Sequence, residues 1–164
     1  MQKPMPVRPV ASGLSIPHPE KLRMGFKGVN HKGSGYAGED AYFYTSGNNG
    51  MFGMGIADGV YSWREQGIDS GAFSRTLMET SQHMLDAGYS DVLKTMQIAA
   101  RKVQSEGIYG SSTMCLVSID LEWARIHVAC LGDSGLIVIG STPEDPKVRF
   151  TNPSLFTYPA YLVH

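Results

Sequence analysis

Apolar residues recur at helical spacing in the middle of the chain and at strand spacing on either side of it. Between residues 70 and 87, Phe73, Leu77, Met78, Met84 and Leu85 fall largely on one face of a 3.6-residue period. The spacing predicts a helix there, ended by Gly88. A second helix is predicted over about 91–106, capped by Ser90, with Val92, Leu93, Met96, Ala99, Ala100 and Val103 as its apolar stripe and Gly107 as its stop. Upstream, "AYFYT" (41–45) and "MFGMGIA" (51–57) are strand-like, and "SGNNG" (46–50) between them is a turn signal. The glycines of the second strand suggest close backbone approach. "ASGLSI" (11–16) reads as a further short strand stopped by "PHPEK", and the glycine-rich residues 23–38 read as a loop. Downstream the period returns to two. Residues 111–121, 125–133 and 135–140 read as three strands of an antiparallel meander, followed by a turn at "EDP" and a short strand at 147–150. A hairpin, two helices and a meander, in that order, predict an α+β fold with layered packing.

Composition narrows the class. A chain of 164 residues fits one domain with a real core, and 42% apolar against 18% charged residues makes a globular soluble protein the default. The net charge of −1 gives no pull toward nucleic acid or an anionic membrane, and no apolar run is long enough to span a bilayer. Residues 1–38 hold six Lys/Arg against Glu20 alone, but Pro4, Pro6 and Pro9 forbid an amphipathic targeting helix. Residues 1–10 are therefore expected to be a short disordered arm and 11–164 the domain. Cys115 and Cys130 lie in strand-like apolar runs and read as reduced core thiols of an intracellular protein.

The chemistry concentrates in "GEDAYFYTSGNNGMFGMGIADG" (38–59), which holds Glu39, Asp40 and Asp58 and no basic residue before Arg64. A hairpin centred on Asn48 places Asp40 near Ile56, with Asp58 two residues further, so that all three acids emerge at its open end. Acids so close repel, and either they protonate or a cation joins them. Hard oxygen ligands suit Mg²⁺ or Mn²⁺, and the Gly59 carbonyl is available beside them. A plain turn capped by Asp58 is the alternative. Asp133, in the tight "GDSG" turn after an apolar strand, is either a hairpin turn or a fourth placed carboxylate.

"GEDA", "GIADGVYSWREQGID", "FSRTLM", "GSSTMC" and "LGDSG" follow one another in the order and approximate spacing of the metal-dependent PP2C (PPM) protein phosphatases. "SIPHPEK" and the Trp and "GID" after the DG resemble the PTC7-like branch, which includes mitochondrial and chloroplast members. The resemblance implies a pair of antiparallel sheets flanked by helices, with a dinuclear site at one end. It implies that Asp40 and Asp58 bind Mg²⁺ or Mn²⁺, that Gly59 donates its carbonyl, that Glu39 holds metal-bound water, and that Asp133 serves a third site. The implied reaction is hydrolysis of phosphoserine or phosphothreonine in a phosphoprotein by a metal-activated hydroxide, with Glu39, Asp40 and Asp58 as catalytic residues. It also implies a mitochondrial or chloroplast location, with the cytoplasm left open.

Three departures accompany the resemblance. Tyr61 and Ser62 stand where the family's DGHGG or DGVGG pattern has glycines. No arginine shortly precedes the acidic pair, which leaves Lys32 or Arg64 as candidates to hold phosphate. The family's two later metal-binding aspartates have no counterpart, since Asp145 is the last aspartate. The C-terminal half of the sandwich is therefore expected to be missing, with Phe156, Tyr158, Tyr161 and Leu162 as candidate cover for the apolar faces so exposed. Two readings follow: a phosphatase supplied with the remaining ligands by further sequence or a completing chain, or a non-catalytic phosphatase-like binding protein.

Overall fold

Alternation along the strands sorts side chains onto two faces of a sheet, and the helices cover one of them. The computed structural model describes residues 8–140, 146–151 and 162–163. The chain opens with the short helix α1 (Pro19–Arg23) and the strands β1 (Val29–His31), β2 (Ser34–Ala37), β3 (Asp40–Ser46) and β4 (Met51–Asp58). Helices α2 (Ser70–Asp86) and α3 (Val92–Ser105) follow. Then come β5 (Ser111–Ser112), β6 (Met114–Asp120), β7 (Arg125–Leu131), β8 (Ile137–Gly140), β9 (Lys147–Thr151) and β10 (Leu162–Val163). The main sheet is antiparallel, in the order β1-β2-β3-β4-β6-β7. The α+β architecture expected from the element order is the one the chain adopts. Among the described residues no helix is long and apolar enough to cross a membrane.

Phe73, Leu77, Met78 and Leu85 of α2 and Val92, Met96, Ala99 and Val103 of α3 pack on Ala41 and Phe43 of β3, Ala57 of β4, and Met114 and Leu116 of β6. Each large apolar side chain withdrawn from water there contributes about 1.5–3 kcal/mol. Met84 is only half-buried and Leu93, expected on the inner stripe, is exposed. The cap of α3 is also one residue later than expected. Asp91, not Ser90, accepts the Lys94 amide at 3.0 Å, while the Ser90 carbonyl accepts from the Ser118 hydroxyl at 2.9 Å. Asp91→Ala should lower the unfolding free energy by about 1 kcal/mol in urea titration, since the freed amide keeps no side-chain partner; no change would assign the cap elsewhere.

The opposite face carries Tyr42 and Tyr44 of β3, Met54 and Ile56 of β4, and Cys115, Val117 and Ile119 of β6. With residues 9–16 and Leu136 they line a concavity of about 900 Å³. No helix or strand of the described residues lies against this face in the way α2 and α3 cover the other.

Several local expectations change. Residues 11–16 form no strand. The Asn30 side chain bonds both to the Ser15 amide (2.7 Å) and to the Ser15 carbonyl (3.0 Å), and the Tyr42 hydroxyl donates to the Gly13 carbonyl (2.8 Å). Side chains thus do what a strand ladder would have done, and the segment lies over the sheet without joining it. The supposed loop 23–38 contains β1 and β2. Its glycines permit close packing: a Cβ on Gly35 would stand 2.6 Å from the Val29 carbonyl oxygen and 2.7 Å from the Tyr42 ring. The meander stops after β7. β8 leaves through the Gly132–Asp133–Ser134–Gly135 turn and pairs with β9, while β10 pairs with β5. Residues 1–7 of the expected arm, the "EDP" turn with Asp145, and Phe156, Tyr158 and Tyr161 lie outside the described residues.

Candidate functional site

The β3–β4 hairpin places its two aspartates directly opposite each other. Its register runs from Ser46↔Phe52 to Asp40↔Asp58, so Asp40 faces Asp58 and not the neighbourhood of Ile56. The connection is a 3₁₀ turn over Asn48–Gly50, which centres the pairing on Asn49. One residue at the centre moves every partner by two, which preserves the face because side chains alternate with period two. Both carboxylates therefore share the open face of the sheet, at one end of the concavity that Asp40 and Asp58 help to line.

The Asp58 carboxyl is pushed up to about 6, first by its withdrawal from water, then by the charge of Asp40 and a hydrogen bond with it, and then by the charge of Asp133; Lys21 opposes the shift. Asp40 and Asp133 thus both act on Asp58, and the "GDSG" turn brings the third acid within reach of the hairpin end. Thr113 fixes Asp58 in place. Its hydroxyl accepts the Asp58 amide at 3.0 Å, and its amide donates to the Asp58 carbonyl at 2.9 Å. The Thr113 hydroxyl also lies 2.5 Å from that of Ser134, which ties the Asp133 turn to the same strand.

Glu39 does not stand with them. It is 1% exposed, and its two oxygens pair separately with Lys21 and with Arg64. The counter-charge missing from the acidic segment comes from α1 on one side and from the 3₁₀ turn Tyr61–Gln66 on the other. Tyr61, in place of a glycine, supports both cations: Lys21 Nζ lies 5.3 Å and the Arg64 guanidinium 5.7 Å from its ring centre. Phe26 stacks on Arg64 at 4.7 Å. Arg64, a candidate for phosphate, is thereby engaged with Glu39. Lys32 is exposed in the β1–β2 turn. That turn is held to Tyr44 by the Gly33 carbonyl at 2.7 Å, four residues from Asp40, or about 13 Å along the strand. Lys32 therefore does not meet the aspartates.

The Gly59 amide donates to the Glu39 carbonyl at 3.0 Å, and Val60 donates to Ser111 at 2.9 Å. Neither bond uses the Gly59 carbonyl. Lys21, Thr113 and Ser134 are the site residues that motif reading did not single out. Lys21 and Thr113 lie inside quoted motifs, "PHPEK" and "GSSTMC", but no spacing rule joins positions 21, 39 and 64.

The donor set fits a divalent cation in its chemistry. It is all oxygen, and Asp40 and Asp133 raise the proton affinity of Asp58, an effect that a cation reverses. Two carboxylates meet directly and the third acts from further off. Among the described residues no group of three or more His, Cys, Asp or Glu is close enough to hold one ion.

A pH prediction follows for the metal-free protein. An unfolded Asp titrates near 3.9, and Asp58 in the fold near 6. The folded state therefore holds the extra proton between those values. The stability this contributes is complete below about 4 and lost as pH rises through about 6. Asp58→Asn should remove that decline and raise stability at pH 7.5 by about 1 kcal/mol, allowing for solvent screening of a residue that stays partly exposed. Thermal melts from pH 4 to 7.5 check it; parallel curves for the two proteins would refute it.

No protein-family model matches the chain. Individual proteins do. It is 37% identical over 121 residues to the protein phosphatase PTC7 homolog of Danio rerio, an alignment covering 69% of this chain and 39% of that one. The Homo sapiens PTC7 homolog gives the same identity over 69% of this chain and 38% of its own. A probable protein phosphatase 2C 55 of Arabidopsis thaliana is 32% identical, covering 82% of this chain and 25% of its own. Among solved structures, the photosystem II phosphatase PBCP superposes with a TM-score of 0.61 at 26% identity, covering 92% of this chain and 53% of that one. The chain thus spans between a quarter and two fifths of the length of these curated relatives.

Proposed function

Because the chain belongs to the PP2C-type protein phosphatases, in their PTC7-like branch, we propose that it carries the Asp40–Asp58 end of a site that hydrolyses phosphoserine and phosphothreonine in protein substrates with Mg²⁺ or Mn²⁺. The observation that supports this most directly is the cross-strand opposition of Asp40 and Asp58, with Asp133 acting on the same spot.

Asp40 and Asp58 would hold the cation, with the Gly59 carbonyl and Asp133 as further oxygen donors. The chemistry such a cation supplies is Lewis acidity toward a phosphoryl group and acidification of water. The remaining work falls to the chain itself. Thr113 holds Asp58 by its amide and its carbonyl, so the carboxylate pair keeps its spacing when charge changes beside it. Glu39 serves through structure: it anchors Lys21 and Arg64, and one net positive charge remains beside the acids to attract an anionic ester. The concave apolar face beyond the aspartates offers surface to a peptide carrying that ester.

A second reading is a non-catalytic phosphatase-like protein that binds metal or a phosphoprotein without turnover. It is favoured by the direct contact of only two acids among the described residues.

Manganese titration by calorimetry, with phosphate release from a phosphothreonine peptide measured on the same sample, separates the two. The expected result is binding that weakens at least tenfold in Asp58→Asn, together with turnover. Binding without turnover would establish the second reading in its place. No binding would overturn the metal assignment.

A further inference from the structure

We propose that Cys115 and Cys130 form a site of reversible thiol oxidation, closed as a disulfide across β6 and β7 by a low-molecular-weight disulfide such as oxidised glutathione. The two residues are direct register partners. Their sulfurs lie 3.0 Å apart and both are free thiols. Directly opposed residues on neighbouring antiparallel strands have Cα atoms about 4.5–5.5 Å apart, inside the span a disulfide bridges. The ladder between β6 and β7 holds this geometry in advance, from Met114↔Leu131 to Asp120↔Arg125.

The pair also lies on the accessible side of the sheet. Cys115 lines the open concavity, on the face opposite α2 and α3, and Cys130 is half-buried. Two features set the order of events. Burial and the neighbouring Cys130 push the Cys115 thiol up, and Cys130 is the more exposed of the two. Cys130 thiolate attacks one sulfur of the oxidant, forming a mixed disulfide and releasing one thiolate. Cys115, giving up its proton, then attacks the Cys130 sulfur and expels the second thiolate. The protein dithiol loses two electrons, the oxidant becomes two thiols, and the two protons given up by the cysteines end on them. The proposal does not depend on phosphatase activity or on a metal.

The full chain is equilibrated at pH 8 across ratios of reduced to oxidised glutathione, quenched with acid, alkylated in denaturant and weighed intact. Peptide mapping locates any link. The expected result is a monomer carrying two fewer alkyl groups than its reduced form, with Cys115 and Cys130 in one linked peptide pair. The reducing ratio needed to open it should be at least tenfold higher in the folded chain than in the same chain in urea, because the strands hold the sulfurs together. Cys130→Ser should instead stop with Cys115 still alkylatable. If that variant does not fold, the wild-type peptide pair and the urea comparison decide. Two alkyl groups retained at every ratio, glutathione adducts that never resolve, disulfides only between chains, or equal ratios in urea and in the fold would each overturn the proposal.

Discussion

Glu39→Ala is expected to lower the unfolding free energy by about 3 kcal/mol or more, the usual effect of removing one member of a buried ion pair. Glu39 is nearly sealed from water, while Lys21 and Arg64 keep 21% and 29% of their side chains exposed. The truncation strands two cations against Tyr61 and Phe26 with no anion between them and leaves a cavity where the carboxylate stood. Glu39→Gln should cost less, because the amide oxygen still accepts from one of them. Urea denaturation monitored by circular dichroism reads both variants. A Glu39→Ala midpoint within error of wild type would mean that Lys21 and Arg64 are satisfied by water, and that Glu39 is free to serve at the aspartates. The same experiment bears on function. A residue whose carboxylate is already shared between two cations anchors the site, and its loss should unsettle Asp40, its chain neighbour, before it touches any chemistry.

Gly59→Ala is the second large expected effect, at about 2–3 kcal/mol, in the range for overpacking a tight site. A Cβ at that position would stand 2.6 Å from the Ser70 carbonyl oxygen and 2.9 Å from the Glu39 carbonyl oxygen. Both obstacles are backbone, so no rotamer change relieves them. Either the end of β4 separates from the start of α2, or the Gly59 amide gives up its bond to the Glu39 carbonyl. Asp58 is the preceding residue, and its clamp on Thr113 would shift with the chain. The variant should therefore lose stability and weaken manganese binding together, in urea titration and calorimetry on one preparation. Weakened binding at unchanged stability would confine the role of Gly59 to its carbonyl.

Much of the architecture was legible beforehand because its signals are local. The apolar period of α2, the turn at "SGNNG" and the strand-like runs at 41–45 and 51–57 depend only on near neighbours, and each element formed where its pattern lies. The expectations that changed did so where a contact that no local pattern encodes decided the outcome. Asn30 reaches back to Ser15 and keeps residues 11–16 out of the sheet. β2 takes its place in a glycine-rich segment because β3 is beside it. Leu93 fits a helical stripe but is exposed, because helical spacing does not say which edge of the stripe the sheet covers.

By itself, the sequence determined the α+β class, the hairpin carrying Asp40 and Asp58, and the family resemblance, because these rest on periodicity, turn chemistry and ordered motifs. Only the tertiary structure decided which acids meet. The register at Asn49 set Asp40 against Asp58, the turn after β7 brought Asp133 to them, and Glu39 went instead to Lys21 and Arg64. Charges act through space over a few ångströms, whatever their separation along the chain, so the neutralisation of an acidic segment is settled by folding and not by its flanking residues.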